Sequence, residues 1–178
     1  MIYYFTPYIN GNLGQAYNHY CNLVPNDDDW ITMMDGDVMQ LHTNWAEIWE
    51  NIINNSPKTT GIVTCQTNRI GCWTQRLDYA TNIVDILEHK KIALELYDKY
   101  NINLTNITHK CMSGFYFSFK KSLWKSVDGF SDGILDVDQD FFLKASAISE
   151  CYLAKGFYVL HYYRLYEGKN SISHLIKD

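Results

Sequence analysis

Short apolar runs alternate with helical patterns along the whole chain, and most runs close on residues that turn the backbone. Ile2–Phe5 is β-branched and aromatic and is followed by Pro7 and Gly11, which predicts a first strand. Asn12 with Gln15 three positions on predicts a capped helix start; Leu13, Ala16, Tyr17, Tyr20 and Val24 then share one face until Pro25. Trp30–Met34 predicts a second strand, 44–54 a helix, and "GIVTCQT" (61–67) a third strand. A long helix is predicted over 76–100, where Leu77, Ala80, Ile83, Val84, Leu87, Leu94 and Tyr97 form a stripe blurred around Lys90 and Lys91. "SGFYFSF" (113–119) reads as a strand and "KKSLWKSV" as a short helix after it. Val137, Phe141, Ala145 and Ile148 mark another helix, and "FYVLHYY" (157–163) a last strand. This alternation predicts a sheet covered by helices, an α/β fold in a single domain over 1–178, without repeats or linkers.

Composition changes the picture mainly by exclusion. A net charge of −5 with no long basic run argues against nucleic-acid or anionic-membrane partners, because phosphate binding needs clustered Lys and Arg. No apolar stretch approaches the roughly 20 residues that span a bilayer, and the N-terminus lacks a secretion signal, so a cytoplasmic protein without a transmembrane segment is expected. The five cysteines are scattered, with no C-x-x-C pair, and read as reduced thiols. Asn54, Asn103 and Asn106 match the glycosylation acceptor pattern but are read as polar loop residues.

The chemistry concentrates where the second predicted strand ends. Asp35 and Asp37 stand one residue apart, and carboxylates that close repel unless a cation, hydrogen bonds or a shared proton intervenes. Gly36 permits a tight turn that would aim both at one hard cation such as Mg²⁺ or Mn²⁺. The triplet alone also fits an acidic β-turn whose side chains bond their own backbone. A second acidic cluster, "LDVDQDFFLKA", opens a helix, and His161 sits inside an apolar strand. Asp136 with Gln139 can cap that helix, Asp138 in its first turn can project as a general base, and Asp140 can serve the same helix end. His161 fits either a hydrogen-bonded core histidine or a metal ligand.

With these motifs in order, the chain resembles the small nucleotide-diphospho-sugar glycosyltransferases of the GT-A fold, close to family 2. "NLGQAYN" is similar to the helix start below the donor site, "DWITMMDGD" to the strand ending in the D-x-D motif, and "GFYFSFKKSLWKSVDGF" to the segment lining the donor sugar. "VDQDFFLKA" is similar to the acidic helix start, and "YVLHYYR" to the strand whose histidine completes the metal site. The resemblance implies a GT-A-like, Rossmann-like domain with a mixed central sheet flanked by helices. It implies a metal-dependent glycosyltransferase, using Mn²⁺ or Mg²⁺ held by Asp35, Asp37 and His161, with Asp138 as catalytic base in an inverting transfer from a nucleotide-sugar, by default a UDP-sugar, to a saccharide or other hydroxyl acceptor. Donor contacts are implied for Thr6, Pro7, Asn12, Gly14, Tyr17, Asn18, Asp35, Gly36, Asp37, Ser113 and Gly114. Two departures stand out: the first strand runs almost directly into "NLGQAYN", shortening the nucleotide-binding N-terminal half, and Val137-Asp138 replaces the family's Glu-Asp pair.

Two other functions fit parts of the pattern. "ITMMDGDV" also suits a haloacid-dehalogenase-type phosphatase, with the first Asp as nucleophile, although a strand and helix already precede it and no lysine has the required setting. A degenerate domain that binds a sugar or nucleotide without turnover is the non-enzymatic alternative. Phe115, Phe117, Phe119 and Phe141 are expected in the core. Trp73 could line an acceptor cleft, and Arg69 and Arg76 could meet substrate anions or be solvated surface charges.

Overall fold

The computed structural model describes residues 1–165. Positions 166–178 of the predicted domain range lie outside them. The described chain is α/β, with seven strands in one open mixed sheet and five α-helices. The strands are β1 (Ile2–Phe5), β2 (Trp30–Met34), β3 (Val38–Gln40), β4 (Thr60–Thr67), β5 (Leu104–Asn106), β6 (Tyr116–Lys120) and β7 (Glu150–His161). The helices are α1 (Leu13–Leu23), α2 (Trp45–Asn54), α3 (Ile86–Tyr100), α4 (Lys121–Ser126) and α5 (Val137–Ser146). Strand order is β1-β2-β6-β4-β7-β3, with β5 also paired to β7. β1, β2, β4 and β7 run one way, and β6, β3 and β5 run against them. The arrangement is compatible with a Rossmann-like fold.

Side-chain alternation explains the layers. On β2, Ile31 and Met33 pack into a cluster with Tyr17 and Cys21 of α1 and Phe141 and Ala145 of α5, whereas Trp30 and Met34 face the cluster of Ile48, Trp49 and Ile52 from α2. β4 is buried at every position, its Thr60, Thr64, Gln66 and Thr67 included, as a strand covered on both faces requires. The expected core aromatics Phe115, Phe117, Phe119 and Phe141 are all buried. Among the described residues, no helix is long and apolar enough to cross a membrane.

Four elements differ from the predicted pattern. The helix expected over 76–100 is a 3₁₀ turn at Asp78–Ala80 followed, after an interruption, by α3. Asp85 starts α3 by accepting a hydrogen bond from Leu87 N–H at 2.8 Å, and Glu88 three positions on repeats the capping pattern. β7 begins at Glu150, earlier than 157: its register against β4 slips between Ala154 and Tyr158, and the strand continues through an irregularity at Lys155, Gly156 and Phe157. β3 and β5, three residues each, are too short to produce a period and were not predicted.

His89 of α3 couples this packing to pH. Its imidazole is fully buried, with Nδ1 2.7 Å from the Tyr158 hydroxyl and Nε2 3.0 Å from the Ile83 carbonyl. Burial pushes its pKa below the ordinary histidine value, against the opposing pull of the Ile83 carbonyl and Asp85. Since the folded pKa is the lower one, this contribution to stability is complete above about pH 6.5 and is lost as the pH falls and the unfolded chain alone takes up a proton. The melting temperature of His89→Gln is therefore expected to decline less steeply than wild type as pH falls below about 6.5.

Candidate metal centre

Because four strands share one direction, their carboxyl ends meet at a single edge of the sheet, where ligand sites of open α/β sheets form. Asp35 follows β2, Ile70 and Gly71 follow β4, His161 ends β7, and Ser113 and Gly114 lead into β6 at the same edge. A cavity of about 320 Å³ opens here. Asp35, Asp37, Asp136, Asp138 and His161 supply its ionisable lining, while Leu13, Ile70, Phe115, Ile134 and Leu135 form an apolar wall. Among the described residues, no Lys or Arg lines it.

The backbone brings Asp37 to His161. Asp35 N–H donates to Phe115 carbonyl at 2.9 Å, the chain turns, and β3 then pairs with the end of β7, setting Val38 opposite His161. Tyr162 N–H fixes the turn by donating to Asp37 carbonyl at 2.9 Å. His161 Nε2 consequently lies 3.2 Å from Asp37 Oδ1 and 3.8 Å from Asp35 Oδ2. Its Nδ1 is 2.7 Å from the Arg69 carbonyl, which can only accept, so Nδ1 carries a proton and Nε2 is left to face the carboxylates. A proton or a cation at Nε2 is what makes that approach favourable. The three ligand atoms lie within 4.8 Å of one another and can hold a metal ion. Two carboxylates and an imidazole oriented by a backbone carbonyl suit a divalent cation that favours oxygen.

Electrostatics at the site are divided. Burial raises the Asp35 carboxyl to about 6; His161 pulls it down, while Asp37 and Asp138 push it up. The hydrogen bond from His161 holds Asp37 below the usual carboxylate range, against partial burial. Asp138 is raised by burial, opposed by the bonds it accepts from Gly114 N–H (2.6 Å) and Gln139 N–H (3.0 Å). Tyr17, buried beneath the cavity, is raised by burial and by the Asp35 and Asp138 charges, so its hydroxyl stays protonated.

Of the residues predicted for the site, Tyr17, Asp35, Asp37, Ser113, Gly114, Asp138 and His161 line one cavity. Of the other predicted contacts, Asn12, Gly14 and Asn18 have roles in the scaffold. Asn12 caps α1 by accepting from Gln15 N–H (2.9 Å) and also receives Gly133 N–H (3.1 Å). A Cβ on Gly14 would lie 1.8 Å from the Ser131 carbonyl oxygen, so glycine is needed for that close packing. Asn18 bonds the Phe130 carbonyl and N–H and the Trp124 indole. Thr6 is exposed, Pro7 half-buried, and neither is part of the lining. Gly36 does not occupy the left-handed region, and an added Cβ would only touch Thr6 at 3.6 Å, so the turn does not depend on glycine.

Asp136 does not cap α5 through its side chain. Its backbone is left-handed (φ 62°), it makes no capping hydrogen bond, and it lines the cavity instead; an aspartate tolerates that conformation better than most residues. Asp140 pairs with Lys144 at 2.7 Å. Arg69 is buried, donating to the carbonyls of Tyr163 (2.7 Å) and Thr81 (2.8 Å), and Arg76 holds Asp78 and the Ile70 carbonyl, so neither is a solvated charge free of structure. Trp73 is 66 % exposed and outside the cavity lining. Ile70, Ile134, Leu135 and Tyr163 join the lining without a signal in the sequence, since nothing in an isolated apolar residue says which loop will fold over a cleft.

Gly114 controls how Asp138 sits. A Cβ there would come within 2.7 Å of Asp138 Cβ and 3.1 Å of its Oδ2. Gly114→Ala is expected to push Asp138 from its two backbone donors and cost about 1–3 kcal/mol, measurable as a lower denaturant midpoint.

Compared with models of known protein families and with curated protein sequences, the chain matches none. Fold and site together define an α/β protein with a mixed open sheet whose parallel strands end at an Asp–Asp–His group able to hold a metal ion.

Proposed function

We propose that the protein is a metal-dependent glycosyltransferase of the GT-A kind, transferring a sugar from a nucleotide-diphosphate donor, by default a UDP-sugar, to an acceptor hydroxyl with inversion. One observation carries this: the convergent oxygen and nitrogen atoms of Asp35, Asp37 and His161 share a cavity with a half-buried, backbone-held carboxylate, Asp138. When bound, Mn²⁺ or Mg²⁺ supplies compensation for the charge developing on the leaving nucleoside diphosphate. Asp35, Asp37 and His161 would hold the ion. With no Lys or Arg among the described lining residues, this trio bears the whole task of making an acidic cavity receptive to a diphosphate.

Asp138 accepts the proton of the attacking acceptor hydroxyl. Burial makes it a stronger base than an ordinary carboxylate, and the N–H groups of Gly114 and Gln139 fix its direction. Leu13, Ile70, Ile134 and Leu135 offer the acceptor an apolar lining, in which Ile134 and Leu135 are exposed. A phosphatase of the aspartyl-phosphate type is less well served, because among the described residues no lysine lines the cavity. A cytoplasmic setting fits five free thiols.

The test is a thermal-shift series with nucleotides and nucleotide-sugars, each with Mn²⁺ and with EDTA, followed by assay of nucleotide release with the ligand that stabilises most. Stabilisation by one nucleotide-sugar only in the presence of metal, and its turnover, support the proposal. Stabilisation without turnover across a panel of saccharide acceptors indicates a binder, and phosphate release from phosphomonoesters indicates the phosphatase.

A further inference from the structure

At the opposite edge of the sheet, where β2 and β4 begin, lies a second cavity of about 220 Å³. β6 runs between those two strands and against them, so Lys120, its last residue, stands between Trp30 and Thr60, the first residues of β2 and β4. The link from α2 to β4 completes the rim. Ser56 ends α2 by donating its N–H and its hydroxyl to the Ile53 carbonyl, at 3.1 and 2.7 Å, and Thr60 N–H closes the next turn on the Pro57 carbonyl at 3.0 Å. Lys58, inside that turn, joins the lining.

This lining is opposite in sign to that of the metal centre. Lys58 and Lys120 belong to it, and among the described residues no Asp or Glu does. Neither ammonium has a carboxylate within ion-pair distance among the described residues, whereas Lys125 and Lys144 hold Asp27 and Asp140 at 2.6 and 2.7 Å. Lys120 instead lies 5.8 Å from the centre of the Trp30 ring, a contact that leaves its N–H donors unspent. Thr60, also in the lining, is 6 % exposed, and its hydroxyl has no hydrogen-bond partner, although buried polar side chains ordinarily have one.

We propose that this cavity binds a phosphate group, either free phosphate or the phosphomonoester of a small molecule. Such a group carries roughly 1.5–2 negative charges at pH 7 and three strong acceptor oxygens. Two unpaired ammonium groups supply the opposing charge, and the Thr60 hydroxyl gains the partner it lacks by donating to one phosphate oxygen. The exposed Asn54 amide, in the same lining, offers a further donor. Lysines act as point charges and not as planar forks, which suits a tetrahedral oxyanion better than a flat carboxylate. The five residues of β2 separate this site from the metal centre by roughly 13 Å, at about 3.3 Å per residue. Nothing in the inference depends on the transferase proposal.

The experiment follows the melting temperature of the full chain in EDTA as inorganic phosphate or glycerol 3-phosphate is added, with sodium chloride holding the ionic strength constant, and measures affinity by titration calorimetry. EDTA excludes phosphate held through a metal at the other edge. A saturable rise that chloride alone does not produce is expected. Lys58→Gln, at an exposed position, and Lys120→Gln should each weaken binding roughly tenfold, and the double variant should abolish the rise. Thr60→Val should also weaken binding, yet leave the melting temperature of the free protein at or above wild type, because it removes a buried hydroxyl that has no partner there. Tighter binding of glycerol 3-phosphate than of phosphate would identify a phosphorylated small molecule as the ligand, and the reverse order free phosphate; both support the site. No saturable rise with either probe, or an undiminished rise in the double variant, would overturn the proposal.

Discussion

Asp37→Ala is expected to abolish Mn²⁺ binding as followed by titration calorimetry, and with it any metal-dependent rise in melting temperature. Among the described residues, three side-chain ligand atoms converge at the site, so removing one leaves two of them, and the loss should exceed the roughly 10–100-fold that even an outer-shell partner typically costs. The substitution also takes from His161 the acceptor nearest its Nε2, at 3.2 Å, which frees the ring from one of its two anchors. Wild-type affinity is expected to be proton-linked. Because Asp35 titrates at about 6, Mn²⁺ must displace a proton below that pH, so affinity is full well above 6 and falls as the pH drops through it. Unchanged Mn²⁺ affinity in Asp37→Ala would place the cation elsewhere and remove the basis for a metal role of this group.

How far this site was legible from sequence depends on the length of the signal. β2, β4, β6 and the capped start of α1 carry enough alternation or capping chemistry to be predicted, and β2 brings Asp35 to the sheet edge. The proximity of Asp37 to His161 is another matter. It is produced by β3, three residues long, pairing with the end of β7 across more than half of the chain; β3 leaves no local period, and nothing in the predicted strand over 157–163 says what pairs with it. The resemblance named both residues; the pairing supplies the physical reason they touch. The error at Asp136 has the opposite origin. A capping pattern was present, but the segment from Ser131 to Gly133 is held by the N-terminus of α1, and Asp136 enters α5 in a left-handed conformation without a capping bond. Tertiary contacts overrode a sound local rule.

On the proposed transferase reading, Asp138→Asn is expected to lower turnover by roughly 10²–10⁴-fold while Mn²⁺ binding persists, since the proposed proton acceptor is lost and the metal group is left intact. The substitution is not silent structurally. Asp138 accepts one backbone N–H on each oxygen, from Gly114 and from Gln139, and an asparagine offers only one oxygen and turns an N–H₂ toward the other donor. One backbone donor is thereby left unpaired, at on the order of 1–3 kcal/mol, which for a chain of 178 residues corresponds to a melting-temperature loss of a few degrees. Gln139→Ala separates displacement from chemistry. It removes the side-chain bond from Gln139 to the Met112 carbonyl and loosens the same helix start, yet keeps the carboxylate and both of its N–H donors. Turnover within a few-fold of wild type in Gln139→Ala, beside collapse in Asp138→Asn at a similar melting temperature, assigns the loss to the missing base. Equal losses in the two variants would mean that the start of α5 needs only to be held in place, and that the proton leaves the acceptor by another route.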